Sequence, residues 1–131
     1  MANPEVRRFT LDDLEEVNRW RDSYDEPPLL ASQIPEWGFI VPHLACGFLY
    51  RAEAGLGFLE NFSASPSAWG KDRSWALDVV SEEILRVAPG LGVTQLLALT
   101  KLEAIAQRAV KFGFHCTSKD SYLLVKRLGK Q

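Results

Sequence analysis

Glu60 stands in the run Gly57-Phe-Leu-Glu-Asn-Phe62, which is otherwise apolar around it. In a strand, alternation puts Phe58, Glu60 and Phe62 on one face and Leu59 and Asn61 on the other. A carboxylate on an apolar face is costly unless paired, and burial raises its pKa toward that of a general base. An exposed strand end or an arginine partner would leave it an ordinary glutamate. His43 and His115 are the two histidines of the chain. His43 follows a proline at a strand end. His115 opens a strand beside Cys116, where neighbours point to opposite faces and so form no nucleophilic dyad. Cys46 and Cys116 have no metal-ligand spacing and sit among apolar or small residues, which reads as buried free thiols. Tyr122, near a final hairpin, is either a proton donor or a packed tyrosine. The segment Trp69-Gly-Lys-Asp-Arg-Ser74 offers two cations and backbone amides ahead of a helix, a setting that favours a phosphate. Ordinary polar loop residues would read the same way.

The elements that would position these groups follow from periodicity. Glu5 to Phe9 reads as a short first strand. Thr10-Leu-Asp-Asp13 resembles a capping box with acids in the first turn. Leu11, Leu14, Val17 and Trp20 or Arg21 continue at helical spacing to about Tyr24, and Asp25-Glu-Pro-Pro28 stops the helix. Residues 29–36 fit a short helix or an ordered loop. Trp37 to Pro42, Leu44 to Ala52 and Phe58 to Ser63 read as three strands in an antiparallel meander, with Gly55-Leu-Gly57 marking a turn. Ser63 to Ser74 reads as a loop. A helix follows from about Trp75 to Ala88, closed by Pro89-Gly-Leu-Gly92. Gln95 to Thr100 is a buried strand. Thr100-Lys-Leu-Glu103 matches a capping box, and Gly113 occupies the place of a helix C-cap glycine. Phe114 to Thr117 and Tyr122 to Leu128 are two further strands. The middle of the chain is therefore a β-α-β unit, expected to be a right-handed crossover.

The whole has 131 residues, which fits a single domain over residues 1–131. Hydrophobic residues make up 47% and charged residues 24%, the composition of a globular chain. A net charge of −2 with dispersed basic residues argues against duplex nucleic acid as a partner. Lys126, Arg127 and Lys130 read as a solvated tail. Neither a signal-peptide pattern nor a membrane-length apolar run is present, so the expected setting is cytoplasmic and without a membrane partner.

This order of elements, together with the helix running into Lys111-Phe-Gly-Phe114, resembles the GCN5-related N-acetyltransferases over nearly the whole chain. The resemblance implies an α/β (α+β) fold. Its mixed central sheet would have about six to seven strands, an antiparallel first half, a β-α-β crossover in the middle and helices on both faces. It implies acetyl-CoA as cosubstrate, with no metal. The pantetheine would lie in the gap where the fourth strand splays from the fifth, against Phe62, Ser63 and Ala64. The pyrophosphate would lie on Trp69, Gly70, Lys71, Asp72, Arg73 and Ser74, where Trp69 could also cover an adenine. The family loop reads Arg/Gln-x-x-Gly-x-Gly/Ala, and Asp72 here takes a place usually held by glycine. Many members carry a tyrosine four residues before the Gly-Phe glycine that protonates the leaving thiolate. That place is Ala109 here.

By this resemblance Glu60 would take the proton of the attacking amine, directly or through water, and Tyr122 could substitute as the proton donor. Asp25, Glu26 and Glu36 would lie along the acceptor site and suit a cationic amine. The reading is thus an acyl-CoA-dependent N-acyltransferase, most simply acetylating a primary amine of a small molecule, a nucleotide or a protein by direct attack. The alternative is a catalytically inactive member of the fold that binds a ligand or a protein, which the altered loop and Ala109 favour. Many relatives pair through their C-terminal strands, which leaves a homodimer open.

Overall fold

The computed structural model describes residues 6–99 and 103–116. It falls into two compact units divided between Ala98 and Leu99. In the first unit the order is β1 (Arg7–Arg8), α1 (Leu14–Ser23), β2 (Trp37–Val41), β3 (Ala45–Arg51), β4 (Leu56–Ala64), α2 (Gly70–Val87) and β5 (Gln95–Ala98). Short 3-10 turns at Leu11–Asp13, Ala31–Gln33 and Ala88–Leu91 join them.

The five strands lie in the order β1-β2-β3-β4-β5. The first four are antiparallel neighbours and β5 joins β4 in parallel, the pairing that the crossover through α2 requires. The antiparallel first half and the β-α-β unit are as expected. The strand count is five among the described residues rather than six to seven. Phe114–Cys116, expected to start a strand, does not form one, and the expected strand Tyr122 to Leu128 lies outside the described residues. No helix among the described residues is long and apolar enough to cross a membrane.

Alternation along β2 and β3 gives the sheet two apolar faces. Phe39, Val41, Ala45 and Leu49 pack with Ala76, Val80 and Ile84 of α2. Ile40, Cys46 and Phe48 pack with Val17 and Trp20 of α1 and with Phe9 and Leu29. One helix thus covers each face. Asp13 fixes the start of α1: its carboxylate accepts from the Thr10 backbone N–H at 2.9 Å, so the capping box forms as read. It also accepts two bonds from the Arg7 guanidinium, at 2.7 and 2.8 Å, and this pair holds its pKa below the ordinary value of 3.8.

The described part of the second unit holds α3 (Glu103–Lys111). Its end is a Schellman motif. Gly113 takes φ 94°, its N–H donates to the Val110 carbonyl at 2.9 Å, and the Phe114 N–H donates to the Ala109 carbonyl at 3.1 Å. That left-handed turn is the reason for glycine there.

Candidate functional site

β4 breaks its own alternation at one point. Its register with β3 runs Tyr50↔Phe58, Leu49↔Leu59, Phe48↔Glu60, and resumes at Cys46↔Ser63. Asn61 and Phe62 therefore stand together opposite Gly47, a β-bulge. Asn61 takes φ 58°, a left-handed conformation that asparagine tolerates better than most side chains. The extra residue shifts everything after it by one step. Phe62 turns to the α2 face, its ring so close over Gly47 that a Cβ there would lie 2.6 Å from it. The expectation that Phe58, Glu60 and Phe62 share a face fails at Phe62 for this reason. Glu60 stays on the α1 face opposite Phe48, but it is exposed rather than sunk among apolar groups.

The same stretch parts from β5. Parallel pairing ends at Leu59↔Ala98. Beyond it β4 runs on through Glu60–Ala64 with β3 along one edge and, among the described residues, no β5 partner along the other. Backbone donors and acceptors are thus left for a ligand in extended conformation. Ser63 and Ala64 are buried there, and the Ser63 Oγ has no hydrogen-bond partner among the described residues.

The chain then turns through Ser65, whose N–H donates to the Leu44 carbonyl at 2.8 Å, and enters α2 at Gly70. The expected loop up to Ser74 is a correction: Gly70, Lys71, Asp72, Arg73 and Ser74 are the first turns of the helix. Trp69 at the N-cap has extended dihedrals and makes no side-chain cap, so the first amides of the helix are left for an outside acceptor. Asp72 lies in that first turn, where a carboxylate complements the helix dipole. Lys71 is exposed, and Trp69 is 82% exposed. Arg73 is engaged within the chain. It donates to the Tyr24 hydroxyl at 3.1 Å and the Ala68 carbonyl at 3.4 Å, bracing the end of α1 against the start of α2.

Two groups not singled out in the sequence reading belong to this face. The Asn61 amide donates to the Tyr50 hydroxyl at 2.9 Å, and that hydroxyl donates to the Gln33 carbonyl at 3.0 Å. Burial chiefly raises the Tyr50 pKa, so the phenol stays protonated. Alternation on β3 placed Tyr50 beside Phe48, and that was the signal. Arg21 is the second group, a buried cation on the apolar stripe of α1.

Other candidates lie elsewhere. Glu36 pairs with Arg51 at 3.1 Å, at the end of the sheet where β3 turns into β4. It borders a cavity of about 410 Å³ that also touches Trp37, Leu49 and Leu56 and contains none of the residues expected to hold the cofactor or move a proton. His43 sits in the turn between β2 and β3 and pairs with Glu16 at 2.9 Å. Burial pushes the Cys46 thiol up to about 12, so it is no nucleophile. Cys116 is exposed, against the expectation of a buried thiol. Tyr122 lies outside the described residues.

No protein-family model matches the chain, and no curated protein is detectably similar to it. Solved structures are. Rv2747 of Mycobacterium tuberculosis, crystallised with CoA, superposes with a TM-score of 0.67 at 20% identity, over 82% of this chain and 70% of that one. A GNAT-family acetyltransferase of Brucella melitensis, in complex with acetyl-CoA, gives 0.59 at 15% identity, over 86% and 82%. N-acetylglutamate synthase of Neisseria gonorrhoeae, complexed with coenzyme A and N-acetyl-glutamate, gives 0.57 at 23% identity, over 79% of this chain and 27% of that one. The fold is that of the GCN5-related N-acetyltransferases.

Proposed function

We propose, from the fold shared with these CoA-bound structures, that the chain is an acyl-CoA-dependent N-acyltransferase acting on a primary amine. One observation carries this reading. β4 leaves β5 after Leu59, bulges at Asn61, and points onward to a helix whose first amides have no side-chain cap. A thioester cosubstrate has the shape for such a site: an extended amide-bearing arm for the free strand edge and a pyrophosphate for the helix start. The backbone of Phe62, Ser63 and Ala64 would hold the arm. Trp69, Gly70, Lys71, Asp72 and Ser74 would frame the phosphates, with Lys71 as the cation. Acetyl-CoA supplies an activated acyl group, so that the amine nitrogen gains a bond to the carbonyl carbon as the carbon–sulfur bond breaks.

The chain's own contribution is orientation and proton handling. Holding amine and carbonyl together accounts for much of such a rate. Glu60, exposed on the α1 face at the bulge, takes the proton that the amine nitrogen loses, directly or through water. The sequence position at which the resembling family often carries a proton-donating tyrosine is Ala109 here, and this favours the second reading, a binding module on the same fold. The two thiols, which form no disulfide, suit a cytoplasmic setting.

Calorimetric titration with acetyl-CoA and with CoA tests the proposal. Micromolar binding, weakened several-fold in Lys71→Ala, is the expected result. A well-folded sample that binds neither would overturn the acyltransferase reading.

A further inference from the structure

We propose that Arg21 is the anion-binding residue of the acceptor site, and that the acceptor amine carries a carboxylate. The inference rests on the acyltransferase reading and names its substrate class. Helical spacing puts Arg21 on the stripe of α1 that carries Val17 and Trp20, so it faces the sheet, and it is only 6% exposed. Its Nε donates to the Pro27 carbonyl at 2.8 Å, which anchors the turn after α1. Among the described residues its two Nη groups have no partner and no carboxylate pairs with it. A guanidinium taken out of water without a counter-ion is costly, and a single carbonyl bond uses one of its five donors.

The Nη groups are not sealed away. The sealed polar side-chain atoms without a partner are Trp37 Nε1 and Ser63 Oγ among the described residues, whereas 6% of Arg21 stays exposed. The stripe that carries Arg21 packs, through Val17 and Trp20, against Cys46 and Phe48, with Tyr50 beside them, so Arg21 lies over the face of the sheet that holds the bulge. Cys46 pairs with Ser63, just past the bulge, and Tyr50 is bonded to Asn61 within it. Glu60, whose charge acts on Tyr50, is on the same face. The nearby acids are engaged or face water: Asp13 with Arg7, Glu16 with His43, and Asp22, Asp25 and Glu26 exposed. One face thus offers a carboxylate to take a proton from an amine and a fork of free N–H donors shaped for a carboxylate. An amino acid, with both groups on a short frame, fits that pair.

The test uses matched acceptors with acetyl-CoA, following thiol release by the full chain: L-phenylalanine against phenethylamine, L-leucine against isopentylamine, L-lysine against cadaverine, and O-phosphoethanolamine as the phosphate arm. At least one carboxylate-bearing partner should show roughly hundredfold higher kcat/KM than its neutral analogue. Arg21→Gln should lose that preference while acetyl-CoA binding stays within about twofold, and Arg21→Lys should keep part of it. Titration of N-acetyl-L-phenylalanine into the CoA-saturated and the free protein reads the anion site without turnover. Binding that disappears in Arg21→Gln supports the inference even in a chain that does not turn over. Neutral amines that serve as well as their acids, a preference that survives Arg21→Gln, a preference for the phosphate alone, or normal acetyl-CoA binding with no carboxylate binding each overturn it. The last result leaves the acyltransferase reading standing. The matched pairs are read on the unaltered chain, so the conclusion does not depend on a variant that folds poorly.

Discussion

Asp13 shows how much one side chain can hold. It closes the start of α1 through Thr10 and takes both arms of Arg7. Arg7 is 45% exposed, and water weakens its half of the pair. Asp13→Asn is therefore expected to lower stability by about 1–2 kcal/mol at neutral pH, read by urea denaturation. The carboxyl's folded pKa lies below its unfolded one. Its contribution is complete above about pH 4 and fades as the pH falls through the folded value, so wild type and variant should converge in acid. Glu60 is the residue for kinetics. With an accepted amine in hand, Glu60→Gln should lower kcat roughly hundredfold and leave acetyl-CoA affinity unchanged. An unchanged kcat would assign the proton to water. Glu60 was legible as a charge in an apolar run, but its exposure was not, since exposure depends on strand partners that are distant in sequence. Arg21 was visible on the helical stripe and passed over, because periodicity alone does not separate a stripe residue that turns outward from one that goes in.

At the scale of the element, the bulge and the start of α2 decide the site. A β-branched side chain in the left-handed region is strained, so Asn61→Val should cost about 1–3 kcal/mol. Asn61→Gly should stay within about 1 kcal/mol, because glycine accepts that backbone and only the bond to Tyr50 is lost. Comparison of the two urea midpoints checks this. Proline is tolerated at the first helical position and has no N–H. Gly70→Pro should thus leave the melting temperature nearly unchanged and weaken CoA binding roughly three- to tenfold, by removal of one phosphate-facing amide. The meander, both helices ahead of β5 and the glycine stop of α3 were readable from period, caps and breakers. The bulge was not, because an inserted residue leaves the composition of a strand unchanged and announces itself only through register with β3. The early start of α2 was missed because Gly70 and the polar run Lys71-Asp-Arg73 look like a loop until Asp72 is counted as a first-turn acid.

At the scale of the whole molecule, a ligand that binds only the folded chain must stabilise it. Acetyl-CoA at about a hundred times its dissociation constant should add about 2.7 kcal/mol, a shift of several degrees in a thermal melt. A melt that does not move would count against the cofactor site. The sheet also carries a history in its connections. β2 meets β3 across the tight turn at Pro42–Leu44, and β3 meets β4 across another at Ala52–Gly55, whereas β5 reaches β4 only after the whole of α2 has been made. Short closures come early in folding, and long ones wait. The meander can therefore assemble while the edge of β4 is still open along its full length, and β5 later zips only the part up to Leu59. The opening beside Asn61 is the length of the β4 seam that β5, four residues long, does not reach.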